Sequence, residues 1–436
     1  MHTIETIPSY AFVRYLNRVS DVPEVGDVVE VYGSSSPSVA GHIVEIVEEN
    51  ATIEAADGTR HTLDRFDCYV QDRASIRADL EAMLHSRTPD GVAWVDGTAP
   101  ALRERLSDGF DILSAGEPDY HPGSGTIVRD LVHPSLYPHV TPTVPAPPSG
   151  TDRWGRPFES SRCQWLPTPF VVSEDGGVSI QGAINNLPRA GNAGMYAALE
   201  ALFVRFLPLF ESVYGYTEGT RFFSGAQVGE AELPNEPVSQ DDAPAPRSLR
   251  GRTLQVITKI VEYRLDAGEA FEGVWHVEGM SHEHILATGV YVLSRDEALS
   301  GGTLRFKRPY TLEEAGLLFW RVPQSRPAVV DSLVREGLVP IGSLETPADR
   351  LLVFPNSHVH KLSTMSVAEG ADEARRRVIV FWLVDPAHTI PSTASVRPPQ
   401  ESMSRKKAIR TRLALMEERR LHKQTLNVRA VSLCEH

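Results

Sequence analysis

From about residue 250 onward, apolar positions come in short runs that alternate with polar ones or stay β-branched throughout, each closed by Gly, Asp, Asn or Pro. Residues 254–265, 273–278, 285–293, 302–306, 350–354 and 378–384 read as strands on this pattern, because successive strand side chains point to opposite faces. Many strands with few helices between them predict a double-sheet β architecture of the jelly-roll type. Ahead of them, Met195, Leu199, Leu202, Phe203, Phe206 and Phe210 recur at helical spacing. They predict a helix over about 192–213 whose apolar stripe packs on a sheet. Ile76, Leu80, Met83 and Leu84 predict a second helix over 75–106.

Residues 23–72 show a different pattern, three short alternating strands with the turn Asp57-Gly58 after the third. They predict a small hairpin-rich barrel. The proline-rich stretch 141–148 excludes regular helix or central strand and reads as an extended segment over the core. Residues 230–246, acidic and proline-bearing, have little to bury and read as a surface loop. Residues 400–423 form a basic amphipathic helical stretch with Ile409, Leu413 and Met416 on one side. The expected division is a barrel-like module over 1–72, a helical or irregular connector over 73–126, the main β domain over 127–398 and a helical tail over 399–436.

Composition narrows the function. The 436 residues are 41% apolar and 23% charged, enough for a sizeable core in a globular protein. A formal charge of −14 argues against nucleic acid or an anionic membrane as partner. No apolar run reaches the roughly 18 residues that cross a bilayer, and the N-terminus lacks the pattern of a signal peptide, so a cytoplasmic address is expected. Cys68, Cys163 and Cys434 are odd in number and far apart, which predicts neither a disulfide framework nor a thiolate zinc site.

The chemistry concentrates at Trp275-His276-Val277-Glu278-Gly279 and at Phe354-Pro355-Asn356-Ser357-His358-Val359-His360. On a strand, His276 and Glu278 share one face and can grip one metal ion. A distant histidine would complete two imidazoles and a carboxylate, leaving about three positions open on a six-coordinate ion. His358 and His360 have the same parity and compete for that place, while His282 and His284 are further candidates for metal or substrate contact. In Arg375-Arg376-Arg377, one inward-facing guanidinium would suit a dicarboxylate. Parity does not choose, because the positions alternating with Arg376 and with Arg377 are equally apolar. Tyr291 and Arg305 lie on segments near the site.

These residues resemble the Fe(II)/2-oxoglutarate-dependent dioxygenases, whose cupin-like double-stranded β-helix carries His-x-Asp or His-x-Glu, a distal histidine and a later arginine. More narrowly, the chain is similar to a largely uncharacterised fungal and bacterial family placed in that superfamily. The likeness rests on Asp130-Leu131-Val132-His133-Pro134-Ser135-Leu136-Tyr137-Pro138, Gln164-Trp165-Leu166-Pro167, Ile184-Asn185-Asn186-Leu187, Trp275 to Met280, Phe354-Pro355-Asn356, Leu383-Val384-Asp385-Pro386 and Ser432-Leu433-Cys434-Glu435-His436. It implies a mainly β, α+β fold with packing helices, and the N-terminal module resembles SH3-like barrels. It further implies His276, Glu278 and His360 as ligands of Fe(II) and Arg376 as the partner of 2-oxoglutarate. Hydroxylation of a small molecule or a peptide or protein side chain, with dioxygen consumed and succinate and CO2 released, is the implied reaction. Retention of a carboxylate at position 278 argues against halogenation. The competing expectations are a cupin-like metalloenzyme that does not use 2-oxoglutarate and a non-catalytic jelly-roll binding protein.

Overall fold

Two long runs rich in β-branched and aromatic residues, Thr253–Asp266 and Glu373–Val384, pair antiparallel from Val256↔Leu383 to Asp266↔Glu373 and form the middle of the protein. They belong to a computed structural model that describes residues 25–33, 36–65, 68–70, 91–147, 149–150, 158–159, 161–220, 245–309 and 338–426. In chain order the strands are β1 (Val28–Gly33), β2 (Ser36–Val47), β3 (Asn50–Ala55), β4 (Arg60–Asp64), β5 (Cys68–Val70), β6 (Ala93–Asp96), β7 (Val128–Val132), β8 (His139–Val140), β9 (Cys163–Gln164), β10 (Thr168–Val172) and β11 (Val178–Ile180). There follow β12 (Thr253–Asp266), β13 (Ala270–Phe271), β14 (Ile285–Arg295), β15 (Leu299–Gly301), β16 (Leu304–Pro309), β17 (Leu338–Leu344), β18 (Arg350–Pro355), β19 (Val359–Leu362), β20 (Met365–Val367) and β21 (Glu373–Val384). The helices are α1 (Pro100–Ser114), α2 (Ala193–Gly219), α3 (Pro399–Ser402) and α4 (Arg405–Leu426).

The large sheet has the order β11-β10-β12-β21-β14-β18-β6, with β7 also on β12, and two three-stranded sheets have the orders β13-β20-β15 and β17-β16-β19. From β12 onward the chain alternates between the large sheet and the small ones, which is jelly-roll topology. Both faces of the large sheet are covered, so its central strands are apolar on both sides. One face carries Val256, Ile260, Ala287, Tyr291, Leu351, Val353, Ile379 and Phe381 and packs on Phe203, Phe206 and Phe210 of α2. Gly289 lies under that helix, where a Cβ would meet Phe210 Cζ at 2.8 Å. The opposite face carries Ile257, Val261, Val378, Val380 and Trp382 and forms one wall of a cavity.

The N-terminal strands form a five-stranded antiparallel sheet, order β4-β3-β2-β1-β5, around Val29, Val31, Ile43, Ala51 and Ile53. The Asp57-Gly58 turn is present, with Gly58 at φ 80°. This is a sheet with its own core; SH3-like closure stays an expectation from sequence.

Several sequence expectations change. Of the helix expected over 75–106, residues 75–90 lie outside the described residues. Residues 93–96 form β6, the edge strand beside β18, and α1 starts only at Pro100. Gly97, at φ 89°, separates the two and gives the chain a turn that a helix could not follow. The strand expected over 273–278 reduces to a single bridge, His276↔His360. Gly279, at φ 62°, bends the chain away beyond it. The expected helix over 192–213 runs on to Gly219. By length and composition α2 could cross a bilayer, but its apolar side chains are buried under the large sheet. The tail is broken into α3 and α4. The expected loop over 230–246 falls largely outside the described residues, as does the closing Ser432 to His436.

Candidate metal centre and its cavity

The bridge between His276 and His360 decides the geometry of the site. Each backbone donates to the other, His276 N to His360 O at 3.0 Å and His360 N to His276 O at 2.9 Å, which fixes the two Cα atoms side by side. Their rings lie 4.4 Å apart. Glu278 Oε1 sits 3.6 Å from His276 Nε2 and 3.5 Å from His360 Nε2. The chain at Glu278 is held by Asn356, whose Oδ1 accepts from Glu278 N and whose Nδ2 donates to Glu278 O, both at 2.9 Å. Asn356 belongs to Phe-Pro-Asn, read in the sequence only as a landmark; its reciprocal amide contact is what brings the two motifs together.

The protonation of the rings follows from their second nitrogens. A carbonyl can only accept, so His276 Nδ1 donates to Val274 O at 2.7 Å and His360 Nδ1 donates to His358 O at 3.1 Å. Each neutral ring therefore turns an unprotonated Nε2 toward Glu278. Burial works to raise the Glu278 carboxyl; positive charge beside it, on protonated His276 and His360 or on a cation held between neutral rings, outweighs burial and holds the group well below its ordinary range. Two imidazole lone pairs and a carboxylate converging on one point repel one another unless a cation lies among them. The donor set suits a first-row divalent metal, with His276, Glu278 and His360 as its holders and room for further ligands on the cavity side.

The other candidates lie elsewhere. His358 is buried, with Nδ1 3.1 Å from Ser357 Oγ, and is not part of the cluster. His282 points Nε2 at Cys163 O, 3.2 Å away, and His284 stacks on His388 at 4.0 Å. Tyr291 faces the α2 side and bonds Asp349 and Thr98, and Arg305 is exposed on β16.

The three arginines separate by environment. Arg375 pairs with Glu373 at the surface, and Arg377 pairs with Glu262 on β12 and Asp111 on α1. Arg376 is buried on the cavity face, and its contacts are Thr346 Oγ1 at 3.0 Å and Met365 Sδ at 3.5 Å. Its Nε has no partner, and among the described residues no carboxylate pairs with it. Burial pushes the guanidinium down to about 10, so it remains charged at neutral pH. A buried cation with no counterion among the described residues is costly, and a bound anion would offset that cost.

The triad and Arg376 line one cavity of about 1130 Å³ between the large sheet and the small ones. That exceeds the roughly 300–1,000 Å³ of ordinary ligand pockets and leaves room for a co-substrate and a substrate together. Its remaining wall comes from α4, through Leu413, Met416 and Arg419. A second polar cluster, His121, Asp130 and His133, lies against the same cavity and has ligand-type atoms within 4.8 Å of one another. In the sequence Asp130 and His133 stand out only as motif residues without a role, and His121 does not stand out. The spacing around β7 was its only trace.

Two overlapping matches, to residues 71–248 and 226–407, connect the chain with the family described as protein of unknown function (DUF4246). The chain belongs to this family. No curated protein matches it. Solved structures with some likeness include IDO from Bacillus thuringiensis, at 8% identity and TM-score 0.32, covering 70% of this chain and 93% of that one. A prolyl hydroxylase from Trichoplax adhaerens, in complex with a hypoxia inducible factor peptide fragment, overlaps at 9% identity and TM-score 0.29, covering 72% and 94%. An oxidoreductase of the 2OG-Fe(II) oxygenase family from Burkholderia pseudomallei overlaps at 14% identity and TM-score 0.28, covering 72% and 92%. Overlaps this loose carry nothing about activity, and the functional reading of this DUF4246 protein rests on its own residues.

Proposed function

We propose that this chain is a non-haem Fe(II)/2-oxoglutarate-dependent oxygenase that hydroxylates a small molecule or a peptide side chain. The observation that carries the reading is the convergence of three hydrogen-bond acceptors, His276 Nε2, His360 Nε2 and Glu278 Oε1, in a cavity that also holds Arg376, which has no counterion among the described residues. The first feature calls for a metal cation and the second for a carboxylate, and 2-oxoglutarate has a chelating end and a distal carboxylate in one molecule. When bound, iron and 2-oxoglutarate supply oxidation of a substrate C–H bond by dioxygen.

The protein's part is positional. Val274 O and His358 O keep the Nδ1 protons in place, so neither ring has to lose a proton when it binds metal. Arg376, oriented by its hydrogen bond to Thr346, would hold the far carboxylate. Val378, Val380 and Trp382 keep that wall of the cavity apolar and limit water around the reacting centre.

The test is anaerobic addition of Fe(II) and 2-oxoglutarate. A visible charge-transfer band is expected with the wild type and is expected to vanish in His276→Ala. Absence of the band in folded wild type overturns the reading. Turnover unchanged in Arg376→Ala would point instead to a cupin-like metalloenzyme that does not use 2-oxoglutarate, whereas a band unchanged in that variant would remove Arg376 as the partner of the far carboxylate.

A further inference from the structure

One region of the cavity presents hydrogen-bond donors that belong neither to the metal triad nor to Arg376. Lys259 and Tyr263 lie on the cavity face of β12, and Tyr263 pairs in register with Arg376 while Lys259 pairs with Val380. Four residues of strand separate the two levels, about 13 Å at the usual rise. Among the described residues the Lys259 side chain makes no hydrogen bond or ion pair, although its charge acts on Asp130 and His133. Beside it, His133 Nδ1 accepts the backbone N–H of Ser135 at 3.1 Å, which leaves the ring proton on Nε2. Burial keeps His133 well below its ordinary value and so neutral. Ser135 Oγ accepts Trp165 Nε1–H at 2.8 Å, and its own hydroxyl proton is free to donate. Lys259, His133 and Ser135 all line the cavity, so an ammonium, an imidazole N–H and a hydroxyl face it together.

Asp130 holds this arrangement from behind. It does not line the cavity; its Oδ2 lies 2.9 Å from His121 Nδ1 and 3.8 Å from Arg412 Nη1. Burial works to raise Asp130, but the His121 hydrogen bond and the charge of Lys259 act against it, and the carboxyl is held below its ordinary range. Arg412 is itself fixed by a two-pronged pair to Asp119, at 2.7 and 2.9 Å. A second divalent ion is the rival occupant of the His121, Asp130 and His133 cluster. It is disfavoured because Arg412 and Lys259 already place two positive charges around the one carboxylate. Besides Glu278, the acidic residues lining the cavity are Glu272 and Glu417, and both are exposed. Trp165, Val261, Val380 and Trp382 supply an apolar wall of the same cavity, with Trp165 and Trp382 ring centroids 4.8 Å apart.

We propose that Lys259, His133 and Ser135 bind a carboxylate head group of the substrate, whose apolar body lies along Trp165 and Trp382. The direction of that body toward the metal rests on the oxygenase reading; the head-group site does not. The substrate class is therefore an acid with an apolar tail.

The experiment uses metal-free full-length protein and isothermal titration with hexanoate, 3-phenylpropionate and indole-3-propionate, each beside its primary amide. At least one acid is expected to bind saturably, and its amide to bind about tenfold more weakly or worse, the worth of a hydrogen bond to a charged group. Lys259→Met, which preserves length and packing, should weaken the acid by a similar factor, whereas Lys259→Arg should restore it. No saturable binding of any acid, equal binding of acid and amide, or an unchanged Lys259→Met overturns the proposal. So does loss of acid binding in Arg376→Leu alone, which would assign the acids to the co-substrate end. Titration with Zn(II) adds a further arm: a second bound equivalent that disappears in His133→Ala overturns the proposal in favour of a second metal. Because the acid titrations contain no metal, a missing Fe(II)/2-oxoglutarate band would overturn the oxygenase reading without touching this one.

Discussion

Asn356 does with one side chain what a sheet does with a ladder, since it donates to and accepts from the backbone of Glu278. Replacing it with alanine removes two hydrogen bonds and leaves the Glu278 N–H and C=O unpaired in a buried setting. Asn356→Ala is expected to cost about 2–3 kcal/mol in urea denaturation. It should also weaken Mn(II) or Co(II) binding by about 10–100-fold, the usual effect of losing a group that orients a metal ligand. Metal affinity equal to wild type would limit Asn356 to a role in folding. At this scale the sequence showed which residue types could hold a metal, and the His-x-Glu spacing pointed to two of them. It did not separate His358 from His360 by parity, because parity holds only inside a strand. His358 lies in the turn closed by His358 N to Pro355 O at 3.0 Å, and β19 starts one residue later.

At the scale of elements, α4 carries most of what the sequence left open. The sequence pattern gives a basic amphipathic helix with Ile409, Leu413 and Met416 on one side, yet two of its arginines, Arg412 and Arg419, are buried as well. Arg419 donates to Glu283 Oε1 at 2.6 Å and lies 4.0 Å over the Trp165 ring. Glu283 also accepts from the backbone of Trp165 at 2.6 Å and of Met280 at 2.8 Å, so one carboxylate joins α4 to two loops around the cavity. Burial works to raise Glu283, and Arg419, His282 and these donors bring it below the ordinary value of 4.5. A folded value below the unfolded one means that the stabilisation is complete above about pH 4.5 and is lost as pH falls through the folded value. Glu283→Gln should therefore lower stability at pH 7 by about 3 kcal/mol, because Arg419 keeps its charge and loses its partner. The same variant should show a flatter fall in stability below pH 4.5 than wild type, measured by urea denaturation at a series of pH values. Parallel curves for the two proteins would contradict the assignment.

Over the whole molecule, the large sheet separates two jobs: one face binds α2 and the other faces the cavity. Phe381 lies on the α2 face between Phe170, Phe203 and Phe206, with ring centroids 5.9, 5.3 and 5.6 Å away, while its neighbours Val380 and Trp382 look into the cavity. Phe381→Ala is expected to cost about 3–5 kcal/mol in chemical denaturation, with metal binding by the remaining folded protein unchanged. Loss of metal affinity in folded variant would show that the two faces are coupled. The strands, the α2 stripe and the His-x-Glu pair were legible in the sequence because each is a local pattern set by strand or helix period. Even so, β6 was read as helix, since an edge strand of four residues is too short to show its period. Strand period did not choose Arg376 over Arg377, which only the family resemblance did, because a sheet covered on both faces is apolar on both and hides which face holds the cavity. Nor was the meeting of His121 and His133 with Lys259, more than a hundred residues away. The sequence by itself determined the elements and the chemical types available; the tertiary structure decided which side chains share one cavity. That depends on antiparallel pairing between segments far apart in the chain, and such pairing leaves no periodic mark on either segment.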